Sequence, residues 1–145
     1  MIQFTNTIEI ERPQAEVFAY ISDLEHTPEW NWAIGETRKT SPGPIGVGTT
    51  YKQTRTVPNA ATEDLEITAL EPHELLEVSG ELASLPAHLS YRLHSSAHGT
   101  TIVNTIEIHP RGPLRLLAPV AGRRIQQAVA ENLGVLKARL EGGPT

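Results

Sequence analysis

The sequence predicts an α+β domain in which a curved antiparallel sheet of about seven strands wraps around one long C-terminal helix, with two short helices after the first strand. Three observations support this class: an alternating N-terminal segment, a long series of segments separated by turn residues, and a C-terminal segment with helical periodicity. An antiparallel sheet with one apolar face must cover that face, and only the C-terminal helix is long enough to do so.

The first strand and the two short helices are predicted within residues 2–32. Apolar residues of the strand share one parity, as in a half-buried strand: Ile2, Phe4, Ile8 and Ile10. Pro13 suits the first turn of a helix, and Thr27-Pro28 favours an ending. An apolar stripe lies between them: Val17, Phe18 and Ile21. The order strand, helix, helix therefore opens the chain.

Turn residues divide the middle of the chain into six further strands. Ser41-Pro-Gly-Pro-Ile-Gly46, Val57-Pro-Asn-Ala60, Glu71-Pro-His73 and Ala97-His-Gly99 mark four of the breaks. The predicted strands are 35–40, 47–57, 62–70, 74–80, 87–95 and 100–109. A meander of antiparallel strands follows from these short connections.

The C-terminal segment is predicted to form one long amphipathic helix. Its apolar residues are spaced by four, four, three and four positions: Ile125, Val129, Leu133, Leu136 and Leu140. Pro119 and Gly122 favour a regular start near Ala121, and Gly142-Gly143 supplies a stop. We therefore expect one domain over residues 1–145, with 142–145 as a flexible tail.

Composition excludes several classes of function. A net charge of −5 argues against a nucleic-acid partner, and the absence of cysteine removes disulfides and thiolate chemistry. The longest apolar run, 116–122, is far shorter than the roughly 20 residues of a membrane span. The N-terminus lacks the features of a signal peptide, so we expect a cytoplasmic protein. The six histidines have no metal-binding spacing, and we expect neither a metal nor a cofactor.

Strand parity predicts which side chains face the helix, because only one face of each strand can do so. The inward set of strand 47–57 is Val47, Thr49, Tyr51, Gln53, Arg55 and Val57. A three-residue loop, 58–60, would place Arg55 opposite Glu63, Gln53 opposite Leu65 and Tyr51 opposite Ile67. A tight turn at Ala97-His98 would place Tyr91 opposite Asn104.

A few polar groups in an otherwise aliphatic chamber are typical of ligand pockets. The candidate ligand-binding residues are Trp30, Trp32, Tyr51, Gln53, Arg55, Tyr91, Asn104, Val129 and Leu133. Structural alternatives stay open for several of them. Arg55 and Glu63 form a cross-strand ion pair in one alternative, and Tyr91 and Asn104 a buried hydrogen bond in another. One tryptophan is expected to anchor the core and the other to cover the cavity mouth.

Several motifs resemble the SRPBCC or START-like superfamily, in particular its polyketide cyclase/dehydrase group. They are Ile8-Glu-Ile-Glu-Arg-Pro13, Glu16-Val-Phe-Ala-Tyr-Ile-Ser-Asp23, Pro28-Glu-Trp-Asn31, Gly46-Val-Gly-Thr49, Glu71-Pro72 and His98-Gly-Thr100. The resemblance covers essentially the whole chain and implies a helix-grip fold with a cavity between sheet and helix. The superfamily includes lipid-transfer domains, plant hormone receptors, pollen allergens and aromatic polyketide cyclases, so the fold alone does not define a reaction. The iron ligands of its oxygenase domains have no evident counterpart here.

The leading hypothesis is the binding of a small hydrophobic or aromatic molecule, lipid-like or polyketide-like, by a monomer or homodimer. A second hypothesis is a polyketide cyclase or dehydratase, a lyase or isomerase, with Tyr51, Arg55 and Tyr91 as candidate catalytic residues. It lacks an obvious base, since Glu63 serves only if it is not committed to Arg55. A third is a protein-interaction or assembly-factor role through an apolar patch near Leu116, Leu117 and Val120.

Overall fold

The computed structural model describes residues 1–112 and 118–142. Seven strands form one antiparallel sheet in the order β1-β7-β6-β5-β4-β3-β2. The strands are β1 (Ile2–Ile10), β2 (Ile34–Lys39), β3 (Thr50–Arg55), β4 (Ala61–Glu71), β5 (Leu75–Leu82), β6 (Leu85–Ser96) and β7 (Gly99–Ile108). Helix α1 (Gln14–Ser22) and a 3₁₀ helix (Leu24–Glu29) follow β1, and α2 (Ala118–Gly142) ends the described chain. The predicted element order and fold class are confirmed.

The main differences from the predicted element boundaries lie at three places. Strand β3 begins at Thr50 rather than 47, and Val47, predicted to face inward, is 68% exposed. Strands β5 and β6 extend until only Ala83 and Ser84 separate Leu82 from Leu85. Helix α2 is already helical at Ala118, three residues before the predicted start. Of the predicted apolar patch, Leu116 and Leu117 lie outside the described residues, and Val120 is 60% exposed.

Strand register agrees with the prediction at one hairpin and differs at another. Tyr91 lies opposite Asn104, as predicted. In the β3–β4 hairpin, however, Gln53 lies opposite Glu63, and Tyr51 lies opposite Leu65. The loop spans five residues, 56–60, and on the other side of β3 the Thr56 amide donates to the carbonyl oxygen of Ala33, next to β2 (2.9 Å).

Two irregularities in strand pairing account for the bend of the sheet around α2. The register shifts between Ile34 and Glu36 in β2, and between Ile67 and Ala69 in β4. An extra residue in one strand of a pair bends that strand and increases its twist. The concave face of the sheet therefore encloses the helix.

The C-terminal half of α2 is anchored firmly to the rest of the domain. Leu133 and Leu136 are buried with α1 and with the inner face of the sheet. The Arg12 side chain donates to the last carbonyl oxygens of α2, at Leu140 (2.8 Å) and Glu141 (3.2 Å). A cation at a helix C-terminus satisfies free carbonyl groups and complements the helix dipole. This end of the interior is consequently packed.

Candidate functional site

A cavity of about 390 Å³ lies between the sheet and the N-terminal half of α2. Its wall is mostly apolar, with contributions from β3 to β7, the segment after the 3₁₀ helix and α2. Apolar wall residues include Leu24, Val78, Leu89, Ile106, Ile125 and Val129. The exposed residues of its lining are Trp32, Pro58, Ala83 and Arg124, which places the opening on their side of the domain. The interior thus has a packed half and a hollow half.

Small side chains on α2 contribute to the hollow half. The α2 residues that border the cavity are Arg124, Ile125, Ala128, Val129 and Asn132, whereas Leu133 and Leu136 lie in the packed half. Ala128 and Val129 fill less space than a leucine, although Ile125 does not. Residue size on this helix face therefore accounts for part of the cavity.

Most of the predicted site residues line this cavity, and two do not. The lining includes Trp30, Trp32, Gln53, Arg55, Tyr91, Asn104 and Val129. Tyr51 and Leu133 lie instead in the packed half, where they are 1% and 2% exposed. Burial raises the pKa of Tyr51 to about 12, and the nearby charge of Asp23 adds to the shift. Strand parity placed Tyr51 on the inner face of the sheet and the helical stripe placed Leu133 on the inner face of α2, but neither pattern located the side chain along its element.

Arg55 and Glu63 form a buried ion pair at the edge of the cavity. Arg55 Nε lies 2.7 Å from Glu63 Oε2, and Arg55 Nη2 lies 3.2 Å from Oε1. Gln53 Nε2 donates to Oε1 at 2.7 Å, and the Ala83 amide donates to Oε2 at 2.6 Å. The Glu63 side chain is only 1% exposed. With four hydrogen bonds, its carboxylate is committed to structure and is not a free base.

Tyr91 and Asn104 lie side by side in the wall, on β6 and β7. The hydrogen bond predicted between them is replaced by one from Asn104 Nδ2 to the Ser90 carbonyl oxygen, at 3.1 Å. Burial raises the pKa of Tyr91 to about 12, so its hydroxyl group stays protonated at neutral pH. Tyr91 is accordingly a neutral hydrogen-bond donor in an apolar wall.

The two tryptophans differ in environment, although both border the cavity. Trp30 is 8% exposed and packs in the core, whereas Trp32 is 61% exposed at the opening. Burying an indole contributes substantially to stability, and an exposed indole has no such role. Trp30 thus anchors the segment that carries Trp32 to the opening.

Four polar wall residues were not among the predicted site residues: Thr27, Asn31, Arg124 and Asn132. Asn132 is 6% exposed on α2, seven residues after Ile125 and three after Val129. That spacing places a polar residue on the apolar stripe, and this signal was available in the sequence. Arg124 is exposed, and it also borders the cavity.

A polar cluster outside the cavity supports the 3₁₀ helix that leads to Trp30. Glu29 accepts hydrogen bonds from Tyr20 (3.0 Å) and His26 (2.8 Å), and its Oε1 lies 2.6 Å from Nη2 of Arg139 on α2. The rings of Tyr20 and His26 stack at 4.4 Å. The His26 hydrogen bond is the main cause that lowers the pKa of Glu29. The cluster joins α1, the 3₁₀ helix and α2.

We expect Glu29→Gln to lower the free energy of unfolding near neutral pH by a few tenths to about 1 kcal/mol, because the cluster is partly exposed to solvent. A lowered carboxyl pKa stabilises the fold above the ordinary value of 4.5, and that stability is lost as pH falls through the folded-state pKa. The difference between wild type and variant should therefore shrink below about pH 4.5. Urea denaturation across pH measures it, with Glu131→Gln on the exposed side of α2 as the control. A difference that is constant with pH would contradict this assignment.

Within residues 1–112 and 118–142, no group of three or more His, Cys, Asp or Glu side chains is arranged to hold a metal ion. Over the same residues, neither helix combines the length and the apolar character needed to cross a bilayer.

Residues 1–141 match the family described as polyketide cyclase / dehydrase and lipid transport, and the chain belongs to that family. No curated protein sequence matches it. Similar solved structures include TTHA0849 from Thermus thermophilus, with 15% identity, a TM-score of 0.78 and 99% of both chains covered. This likeness supports the helix-grip, START-like fold.

Two further structures share the fold. The di-domain ARO/CYC StfQ from the steffimycin biosynthetic pathway has 15% identity and a TM-score of 0.74, over 94% of this chain and 49% of its own. Ara h 8.0201 has 19% identity and a TM-score of 0.63, over 92% of this chain and 97% of its own. At such identities the similarity concerns the fold alone.

Proposed function

We propose that this protein binds a small, mostly apolar molecule in the cavity between the sheet and α2. The proposal rests on the cavity between the sheet and α2. Its 390 Å³ lies within the roughly 300–1,000 Å³ typical of ligand pockets. Apolar side chains that face such a space lack the packing contacts of a filled core, and a bound apolar molecule would supply them.

The titratable side chains of the cavity wall favour ligand binding over catalysis. Among the described lining residues, these groups are Arg55, Tyr91 and Arg124, with no carboxylate and no imidazole. Cyclisation or dehydration requires a base that removes a proton from carbon. Glu63, the nearest candidate, already accepts four hydrogen bonds.

The family description and the ARO/CYC neighbour make a polyketide cyclase the second candidate. Its support in the site is the neutral hydroxyl group of Tyr91, which is suited to polarise a substrate carbonyl. Tyr51, in the packed half, is no longer a candidate catalytic residue. Arg55 is neutralised by Glu63 and could orient a substrate only through its remaining N–H groups.

Titration with N-phenyl-1-naphthylamine, an uncharged dye that fluoresces in apolar surroundings, tests the binding function. We expect emission to increase and to saturate at one dye per chain, because the cavity offers a single enclosed apolar volume. Emission that rises in proportion to dye, without saturation, would contradict the proposal. Affinity should also be constant between about pH 6 and pH 9, since the described wall contains no carboxylate and no imidazole.

A further inference from the structure

The cationic side chains of α2 are compensated by carboxylates at one end of the helix and not at the other. At the C-terminal end, Lys137 and Arg139 lie 2.5 and 2.6 Å from a carboxylate oxygen. Within the described part of the chain, Arg123 and Arg124 form no ion pair. The first acidic residue of α2 is Glu131, although acidic residues favour the start of a helix. The half of α2 that borders the cavity therefore carries uncompensated positive charge.

Arg124 belongs both to the cavity wall and to the surface. It lines the cavity and is exposed to solvent. Arginine side chains commonly lay their aliphatic stem along apolar surface and keep the guanidinium group in water. Of the exposed residues that the structure describes in the lining, Arg124 alone is charged. A ligand whose polar end reaches the opening therefore meets a cation that has no other partner.

The lining changes from apolar to amphipathic between the interior and the opening. Val78, Leu89 and Ile106 are interior wall residues, whereas the opening presents the indole of Trp32, which is 61% exposed, and Arg124. An indole combines an apolar body with one N–H group and suits a boundary between apolar and wet surroundings. This gradient matches a molecule with an apolar body and one polar end. The charge of Arg124 matches an end that is negative.

We propose that the cavity binds anionic amphiphiles, with the apolar part between the sheet and α2 and the carboxylate or phosphate group at the opening beside Arg124. This inference rests on the binding function proposed above and names its ligand class. It makes Arg124 a specificity-determining residue, because an anionic group gains a charge-assisted hydrogen bond there and an ammonium group is repelled. Since the guanidinium group stays in water, the gain is modest and depends on salt.

Competition against bound N-phenyl-1-naphthylamine separates this inference from the binding function. The competitors are decanoate, 1-decanol and decylammonium, which share one alkyl chain and differ in head-group charge at about pH 7.5. At low salt we expect decanoate to bind about 3- to 20-fold more tightly than decylammonium, because Arg124 attracts one head group and repels the other. The difference should shrink in about 0.5 M NaCl, where exposed charges are screened.

Two arginine variants assign the charge effect to the opening. Arg124→Gln should reduce the preference for decanoate over 1-decanol by about 2- to 5-fold, because only the anionic head group loses a partner. Arg92→Gln is the matched control, since it removes the same charge from an exposed side chain on the outer face of β6. Its preference for decanoate over 1-decanol should equal that of wild type.

Each contrary outcome has a distinct meaning. Equal affinity for decanoate and decylammonium, in protein that binds the dye, would overturn the proposed ligand class and leave the binding function intact. So would a loss of preference in Arg124→Gln no larger than that in Arg92→Gln. Failure of the dye to bind wild-type protein would overturn the binding function, and this inference with it.

Discussion

Glu63→Gln is expected to lower the free energy of unfolding by about 3–5 kcal/mol, the loss typical of a buried ion pair broken on one side. The variant leaves Arg55, whose side chain is only 13% exposed, without a compensating charge. It also replaces an acceptor of four hydrogen bonds with an amide that must turn an N–H group toward one of the donors. Urea denaturation near neutral pH measures the change.

The next residue of the same strand supplies a matched control. Lys52 and Asp64 also form a cross-strand ion pair, at 3.7 Å, but their side chains are 51% and 85% exposed. Asp64→Asn should therefore change stability by less than about 1 kcal/mol. Equal effects of the two substitutions would show that the Arg55–Glu63 pair is not the structural element described above.

Ala128→Phe is expected to weaken binding of N-phenyl-1-naphthylamine by roughly 10- to 100-fold, as a clash of about 1–3 kcal/mol implies. Ala128 lies in the cavity wall on α2, and a phenyl group there would occupy the space that the dye needs. Because the added ring enters a hollow rather than a packed core, the variant should be as stable as wild type or more stable. Dye titration and thermal unfolding together measure both effects.

Ala130→Phe is the control for Ala128→Phe, since it makes the same change two residues later on the exposed side of α2. Its dye affinity should equal that of wild type. Loss of binding in both variants would indicate a general disturbance of α2, and retention in both would place the dye outside the cavity.

Strand parity was sufficient to predict much of the cavity wall. Gln53, Arg55, Tyr91 and Asn104 all line the cavity, as expected from a sheet that turns one face toward a helix. Parity did not predict the position of Tyr51 along the sheet, because Tyr51 faces inward as expected but lies in the packed half and not in the cavity wall. Parity defines a face, whereas the boundary between packed and hollow halves depends on which α2 residues lie above each strand.

Other features depended on tertiary contacts that no local pattern encodes. The β3–β4 loop spans residues 56–60 rather than 58–60, so the two strands pair two residues away from the predicted register. The β5–β6 turn has positive φ at Ala83 (52°) and Ser84 (69°), where hairpins usually carry Asn-Gly. The Ala83 amide is held by Glu63, so a distant carboxylate stabilises a turn that its own residues do not favour.

Binding of an apolar molecule between the sheet and α2 can be tested residue by residue with a ¹H–¹⁵N correlation spectrum recorded with and without N-phenyl-1-naphthylamine. We expect the signals of Tyr91, Asn104 and Val129 to move, together with the indole N–H signals of the two tryptophans. Signals of Lys52 and Asp64, which are exposed on the outer face, should stay in place. Shifts confined to the outer face, or a spectrum unchanged at saturating dye, would contradict binding in the cavity.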